Sequence, residues 1–203
     1  MARAEIEAIV IAGHFGLAAA VKGTARQTPL WALMLACQWL DVVFVPLFAA
    51  GVEGLEPVAG AKAGAYGGAV IHADYTHSLL GALVLSAVFG ALFVRRYGKR
   101  SAVVLGAVAF SHWLLDLPLH RADMPLLPGG AGELPKLGFG LWQYPSASAL
   151  LELVLVLGGA FIYWRAARDV AATNAPLQRR AVICGIGVMA SCLLVLGMNL
   201  LGF

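Results

Sequence analysis

The sequence predicts an all-α, polytopic membrane protein: one domain over residues 1–203, folded as a bundle of about six transmembrane helices with both termini outside. Hydrophobic residues make up 61% of the chain and charged residues only 12%, whereas a soluble domain carries about 25% charged residues. The apolar residues fall in long runs, and most basic residues lie between those runs. These three observations together favour a membrane bundle over a soluble fold.

Six segments approach the roughly 20 apolar residues that a helix needs to cross a bilayer. In chain order they are residues 6–21, 29–50, 77–94, 101–117, 145–164 and 181–201. The first and fourth are short, but both contain small residues that allow close packing against neighbouring helices. No cleavable signal-peptide pattern is expected, because the short N-terminus carries Glu5 and Glu7 ahead of its apolar run.

The basic residues predict the orientation of the bundle. Ten of the fourteen follow the first, third and fifth segments, and the positive-inside rule places that side in the cytoplasm. The loops at about 51–76 and 118–144 then lie outside, and either could fold over a site as a lid or a re-entrant segment. The net charge of +3 is too small to indicate a nucleic-acid partner.

Ionisable side chains within apolar helices are costly and usually mark a site. Six of them fall in the outer halves of five predicted helices: His14, Asp41, His77, His112, Asp116 and Glu152. His112 and Asp116 are four residues apart and share one helix face. Asp116 and His120 repeat that spacing, but Pro118 predicts that the helix ends before His120. The polar residues are therefore expected to meet at one outer-facing level.

Imidazole and carboxylate groups together bind divalent transition metals. The predicted ligands are His14, Asp41, His72, His77, His112 and Asp116. The expected ion is Zn²⁺, with Mn or Fe as alternatives, and one ion or two are both open. Asp41 and Glu152 are the candidates for a general base. Competing interpretations are that His14 only packs or hydrogen-bonds, that His72 is solvated in a loop, and that Glu152 hydrogen-bonds a neighbouring helix.

Cys37, Cys184 and Cys192 all lie inside apolar segments and lack C-x-x-C spacing. Small buried hydrophobic side chains are the expected role, rather than a disulfide or a cysteine metal site.

Two motifs carry a family resemblance. His72-Ala73-Asp74-Tyr75-Thr76-His77-Ser78 precedes one helix, and Ser111-His112-Trp113-Leu114-Leu115-Asp116 ends the next. They resemble the H-R-x-x-T-H-S and S-H-L-L-L-D motifs of bacterial inner-membrane metal-dependent hydrolases, and His14 and Asp41 match the family's first two motifs in position. The resemblance covers roughly residues 10–130. Ala73 replaces the family's arginine, Gly13 replaces its threonine, and Asp41 stands alone where the family has a paired acidic motif.

The resemblance implies a multi-pass protein of the bacterial inner membrane with a metal site open to the periplasmic side. The function predicted is metal-dependent hydrolysis of an ester or phosphoester in a lipid-like or amphipathic substrate, with the lipid bilayer as its other partner. Three alternatives stay open: an ion or proton transporter using the same cluster, a haem protein with axial ligands such as His14 and His112, and a structural subunit of a membrane complex. The glycine-rich sixth helix could form the contact to such a complex or to another copy.

Overall fold

The computed structural model describes residues 12–60, 67–172 and 174–201. Within them, the helices are α1 (Ala12–Thr24), α2 (Leu30–Ala36), α3 (Trp39–Ala49), α4 (Leu79–Leu119), α5 (Pro145–Ala171) and α6 (Ala175–Leu201). The strands are β1 (Gly54–Pro57) and β2 (Ala69–His72), and 3₁₀ turns cover Pro128–Glu133 and Leu141–Gln143. The molecule is thus mostly helical, with a small sheet that the all-α prediction did not include.

Several of these helices have the length and composition of membrane spans. In the described part of the chain, α4, α5 and α6 are each long and apolar enough to cross a membrane, and α2 with α3 passes the same test as one span bent by 50°. The predicted first span overlaps α1, but its residues 6–11 lie outside the described residues. The six-span count and the placement of the termini therefore remain predictions.

The long helix α4 is a hairpin of two arms joined at Gly98, and it contains the predicted third and fourth helices. Gly98 has φ 76° and ψ 166°, a backbone conformation that only glycine adopts readily. The arms, residues 79–97 and 99–119, pack closely: a Cβ on Gly90 would lie 2.6 Å from the Ala102 carbonyl oxygen, and one on Gly106 would lie 3.1 Å from that of Ser86. Residues later in the first arm therefore lie beside residues earlier in the second arm, which makes the two arms antiparallel. The start and the end of α4 consequently meet.

The predicted second helix is broken into α2 and α3 at Cys37 and Gln38. Gln38 has φ −114° and ψ 7°, which is outside the helical region, and the two helices meet at 50°. The sequence has no proline or glycine at this point to announce the break. The break turns the Cys37 carbonyl away from the helix and toward α4, where it contacts the His112 ring.

The first of the two loops predicted to lie outside forms an antiparallel hairpin, with Gly54 opposite His72 and Pro57 opposite Ala69. The second packs against the beginning of α4, where the Leu79 amide donates to the Pro125 carbonyl over 3.0 Å. Both loops therefore lie at the end of the α4 hairpin at which its two termini meet.

Helix α1 packs against α5 through glycines. A Cβ on Gly16 would collide with the Leu155 carbonyl, and one on Gly159 would collide with the Gly16 carbonyl. Small residues of this kind allow helix backbones to approach closely in a membrane. This crossing fixes the height of α1, and with it the position of His14.

Candidate metal centre

Imidazole and carboxylate groups cluster where α3 and the two ends of α4 meet. Asp41 is in the first turn of α3, and His77 immediately precedes the α4 N-cap, Ser78. His112 and Asp116 lie one turn apart near the end of the second arm. His77, His112 and Asp116 are only 4%, 1% and 3% exposed. We refer to Asp41, His77, His112 and Asp116 as the cluster.

The distances that join His77 and His112 to each other and to the two carboxylates suit the ligands of a tetrahedral ion. The Nε2 atoms of His77 and His112 are 3.3 Å apart. Asp41 Oδ1 lies 3.5 Å from each of them, and Asp116 Oδ2 lies 3.1 Å from His112 Nε2 and 3.6 Å from His77 Nε2. In a tetrahedral zinc site with bonds of about 2.0–2.1 Å, neighbouring ligand atoms are about 3.3–3.4 Å apart.

The hydrogen bond behind His112 fixes which of its ring nitrogens is free. Its Nδ1 lies 2.7 Å from the Cys37 carbonyl oxygen. A carbonyl oxygen can only accept a hydrogen bond, so Nδ1 carries the proton and donates it. In the neutral ring, Nε2 therefore presents its lone pair to the cluster, which is the state that binds a metal.

The same arrangement holds His77, through a relay of two residues. His77 Nδ1 lies 2.9 Å from Thr76 Oγ1, and that hydroxyl donates to the carboxylate of Glu53, 3.0 Å away. Because the hydroxyl donates to Glu53, it accepts from His77 Nδ1. Glu53 is buried and also accepts the backbone amides of Tyr75 and Thr76 at 2.9 and 2.8 Å. In the neutral ring, His77 Nε2 then presents a second lone pair toward His112 Nε2.

With both rings in the neutral state that binds a metal, the cluster brings four acceptor atoms together, and its two carboxylates give a largely buried site a charge of −2. Uncompensated charge of this kind is costly in an apolar environment. A divalent cation would neutralise the charge and accept the lone pairs of the two rings. Buried His/Asp groups here could therefore hold a metal ion.

His14 contacts the opposite oxygen of Asp116. Its Nε2 is 3.3 Å from Asp116 Oδ1 and 3.4 Å from the His112 carbonyl. His14, His112 and Asp116 are also close enough to share an ion, but the contact to a carbonyl fits a ring that donates from Nε2. His14 Nδ1 has no hydrogen-bond partner among the described residues. The rings of His14 and His112 have centroids 4.2 Å apart, which leaves no room for a porphyrin between them.

His120 is buried beside the cluster, contrary to the prediction from Pro118. Helix α4 continues through Pro118 to Leu119, and the His120 amide still donates to the Asp116 carbonyl. Pro118 removes only its own amide from the helix, and the chain keeps helical geometry for one further residue. His120 Nδ1 lies 2.9 Å from Asp123 Oδ1, and its Nε2 lies 4.0 Å from Asp116 Oδ2. His120 is therefore a third ring whose Nδ1 is held from behind while Nε2 faces the cluster.

A small pocket opens on one side of the cluster. Its polar wall is formed by Asp41, His77, Asp116 and His120, and its apolar wall by Phe44, Leu55, Ile71 and Trp142. His112 is absent from the wall, so the pocket meets the cluster on the side away from that residue. The β hairpin supplies two of the apolar residues, Leu55 and Ile71.

Two predicted site residues lie elsewhere. His72 is on β2 with its side chain 42% exposed, and its Nε2 is 3.2 Å from Glu56 Oε2 of β1. Glu152 is buried in α5, and its side chain would contact a Cβ on Gly13 at 3.6 Å. Neither residue belongs to the His/Asp groups described above.

Three supporting groups were not singled out from the sequence: Glu53, Asp123 and the Cys37 carbonyl. The His120-x-x-Asp123 spacing is a signal that could have revealed Asp123. Glu53 lies more than 20 residues before His77 in a glycine-rich loop, and only the β hairpin brings the two together.

No family model, curated protein or solved structure matches this chain. The family resemblance of the two motifs therefore remains a prediction.

Proposed function

We propose that this protein is a membrane-embedded, metal-dependent hydrolase that binds one divalent ion at the cluster. The observation that carries the proposal is the pair of Nε2 atoms of His77 and His112, which lie 3.3 Å apart beside Asp41 and Asp116 while each Nδ1 is held by an acceptor behind its ring. We propose His77, His112 and Asp116 as the three protein ligands, with the fourth tetrahedral position open beside Asp41. Mixed nitrogen and oxygen ligands of this kind favour Zn²⁺, while Mn and Fe accept the same ligand types. The resemblance of the motifs to inner-membrane hydrolases supports the same assignment.

The pocket gives the proposed ion an open side. Catalytic zinc keeps a position for water or substrate and lowers the pKa of a bound water to about 7. The pocket reaches Asp41, His77 and Asp116 but not His112, so we place that position opposite His112. His120 Nε2 faces it and can accept a hydrogen bond from a water or hydroxyl bound there.

Asp41 suits the role of general base better than Glu152 does. Asp41 Oδ1 faces the two imidazoles, while Oδ2 is buried without a hydrogen-bond partner in the described part of the chain. Because Asp41 lines the pocket, Oδ2 can receive a proton from water at the open position. Glu152 does not line the pocket.

The substrate we propose is an ester or phosphoester of a lipid-like or amphipathic molecule. A bound ion would polarise its carbonyl or phosphoryl oxygen, while the aromatic and aliphatic wall would contact the apolar part. The bilayer around the helices would supply such molecules. Opening of the pocket on the periplasmic side of a bacterial inner membrane is part of the same proposal, because the basic loops are predicted to be cytoplasmic.

The experiment is hydrolysis by purified protein in nanodiscs, with p-nitrophenyl acetate, p-nitrophenyl laurate and bis(p-nitrophenyl) phosphate as substrates. We expect chelator-sensitive turnover that falls about a hundredfold or more in His112→Ala, as loss of a zinc ligand implies, and that persists in His72→Ala. The laurate should react faster than the acetate. Metal-loaded protein that hydrolyses none of the three, or whose turnover survives His112→Ala, would refute the proposal.

A further inference from the structure

A wide groove runs between α5 and α6, at the end of the two helices remote from Glu152. Its walls are apolar, with Leu157 and Phe161 of α5 facing Ile186 and Leu193 of α6, and all four side chains are exposed. On α5 the groove extends from Leu157 to Ala172, which is roughly 22 Å at 1.5 Å per residue. One leaflet of the hydrocarbon core is about 15 Å thick, so the groove is long enough for an acyl chain and its headgroup region.

One end of the groove is strongly basic. Arg168 and Gln178 line it there, and the Arg168 guanidinium lies 4.8 Å from the centroid of the Trp164 ring. Arg165 is on the preceding turn of α5, and Arg179 and Arg180 lie between Gln178 and Ala181 of the groove wall on α6. Arg168 thus lines this end of the cleft, and three further arginines lie next to lining residues along the two helices.

The nearby acidic residue, Asp169, offsets only one of these four charges. Asp169 forms its ion pair with Arg26 of the α1–α2 connection, at 3.9 Å. Within residues 12–60, 67–172 and 174–201, none of the four arginines forms an ion pair with a carboxylate. Arginine binds phosphate through paired hydrogen bonds, and basic sites between membrane helices bind anionic headgroups.

We propose that this groove is a binding site for an anionic phospholipid, with the phosphate held at Arg165 and Arg168 and an acyl chain lying between α5 and α6. The site is separate from the cluster and does not depend on the proposed hydrolase activity. Charge complementarity at the basic end distinguishes this occupant from a zwitterionic lipid, and the length of the apolar cleft accommodates its acyl chain.

The test is native mass spectrometry of the full-length protein, delipidated in detergent and titrated with phosphatidylglycerol or phosphatidylcholine of the same acyl chains. Wild-type protein should retain phosphatidylglycerol preferentially. In Arg165→Gln/Arg168→Gln, its apparent affinity should fall about tenfold or more, because each arginine near a headgroup contributes substantially. Ala181→Trp, which fills the groove without changing charge, should also weaken binding.

The matched control is Arg95→Gln/Arg96→Gln, which removes the same charge from the first arm of α4, outside the groove. This variant should bind phosphatidylglycerol as wild type does. Equal loss in both double variants, or equal binding of the two lipids by wild type, would overturn the proposal. A dimer that forms through the groove and is dissociated by Ala181→Trp would also overturn it, because a second copy would then be the occupant.

Discussion

His77 and His112 each donate from Nδ1 to an oxygen behind the ring, and each presents Nε2 to its neighbour 3.3 Å away. Metal-binding histidines are oriented in this way by acceptors outside the ligand set. His14 is different because its Nε2 faces a carbonyl as well as Asp116. At the scale of single residues, the partner of Nδ1 therefore distinguishes the proposed ligands His77 and His112 from His14.

The Glu53–Thr76 relay should control the metal affinity of His77. In Thr76→Val the ring loses the acceptor for Nδ1, and removal of such a partner typically lowers metal affinity about 10–100-fold. Competition with a chromophoric chelator measures the affinity. Thr28→Val is the matched control, because Thr28 is an equally buried threonine whose hydroxyl bonds Ser101 away from the cluster. Equal affinities for Thr76→Val and wild type would contradict the role of the relay.

His120 should support turnover without binding the ion. Its Nε2 is 4.0 Å from Asp116 Oδ2 and faces the pocket. We expect His120→Ala to retain the metal while turnover of the p-nitrophenyl substrates falls by about 10²-fold or more, as for loss of a proton-transfer or orienting group. Elemental analysis and initial rates on the same sample separate the two effects. If His120→Ala loses the ion as fully as His112→Ala does, His120 is a ligand instead.

At the scale of elements, breaks in helices position the site. The turn at Gly98 brings His77 back to His112 and Asp116, and the bend between α2 and α3 directs the Cys37 carbonyl at His112 Nδ1. The sequence predicts part of this. The four-residue spacing of His112 and Asp116 is a property of any helix, but the bend at Gln38 follows from packing against α4 and has no local signal.

The α1–α5 crossing gives an element-scale prediction. Gly159→Leu should lower the free energy of unfolding by about 2 kcal/mol or more, because the added side chain collides with the Gly16 backbone. Thermal or SDS-induced unfolding in detergent measures the change. Gly158→Leu is the control, since a Cβ at Gly158 has nothing within 4 Å. If the two variants are equally stable, the helices do not pack as described.

At the scale of the molecule, the sequence predicts the membrane-like helices and most of the cluster, because hydropathy and the cost of buried charge act locally. Five of the predicted residues, His14, Asp41, His77, His112 and Asp116, do meet. The contributions of Glu53 and Asp123 depend on how the loops before and after α4 fold over the helix ends. Such long-range contacts leave little trace in hydropathy or residue spacing.

Topology is a whole-molecule prediction. Each arm of α4 is about 20 residues long, enough to cross the hydrocarbon core, so the Gly98 turn and the β hairpin should lie on opposite sides. In a variant lacking the three native cysteines, Glu56→Cys should react with a membrane-impermeant maleimide in intact cells, whereas Lys99→Cys should react only after permeabilisation. Equal labelling of the two in intact cells would contradict this topology.

The most direct test of the metal centre is the metal content of the purified protein, measured by inductively coupled plasma mass spectrometry after dialysis against trace metal. We predict about one divalent ion per wild-type chain, as a single tetrahedral site requires, and near-complete loss in His112→Ala and Asp116→Asn. His72→Ala, whose side chain pairs with Glu56 outside the cluster, should keep the wild-type content. A folded wild-type protein that binds no ion, or a His112→Ala variant with unchanged content, would contradict the assignment of a metal site to the cluster.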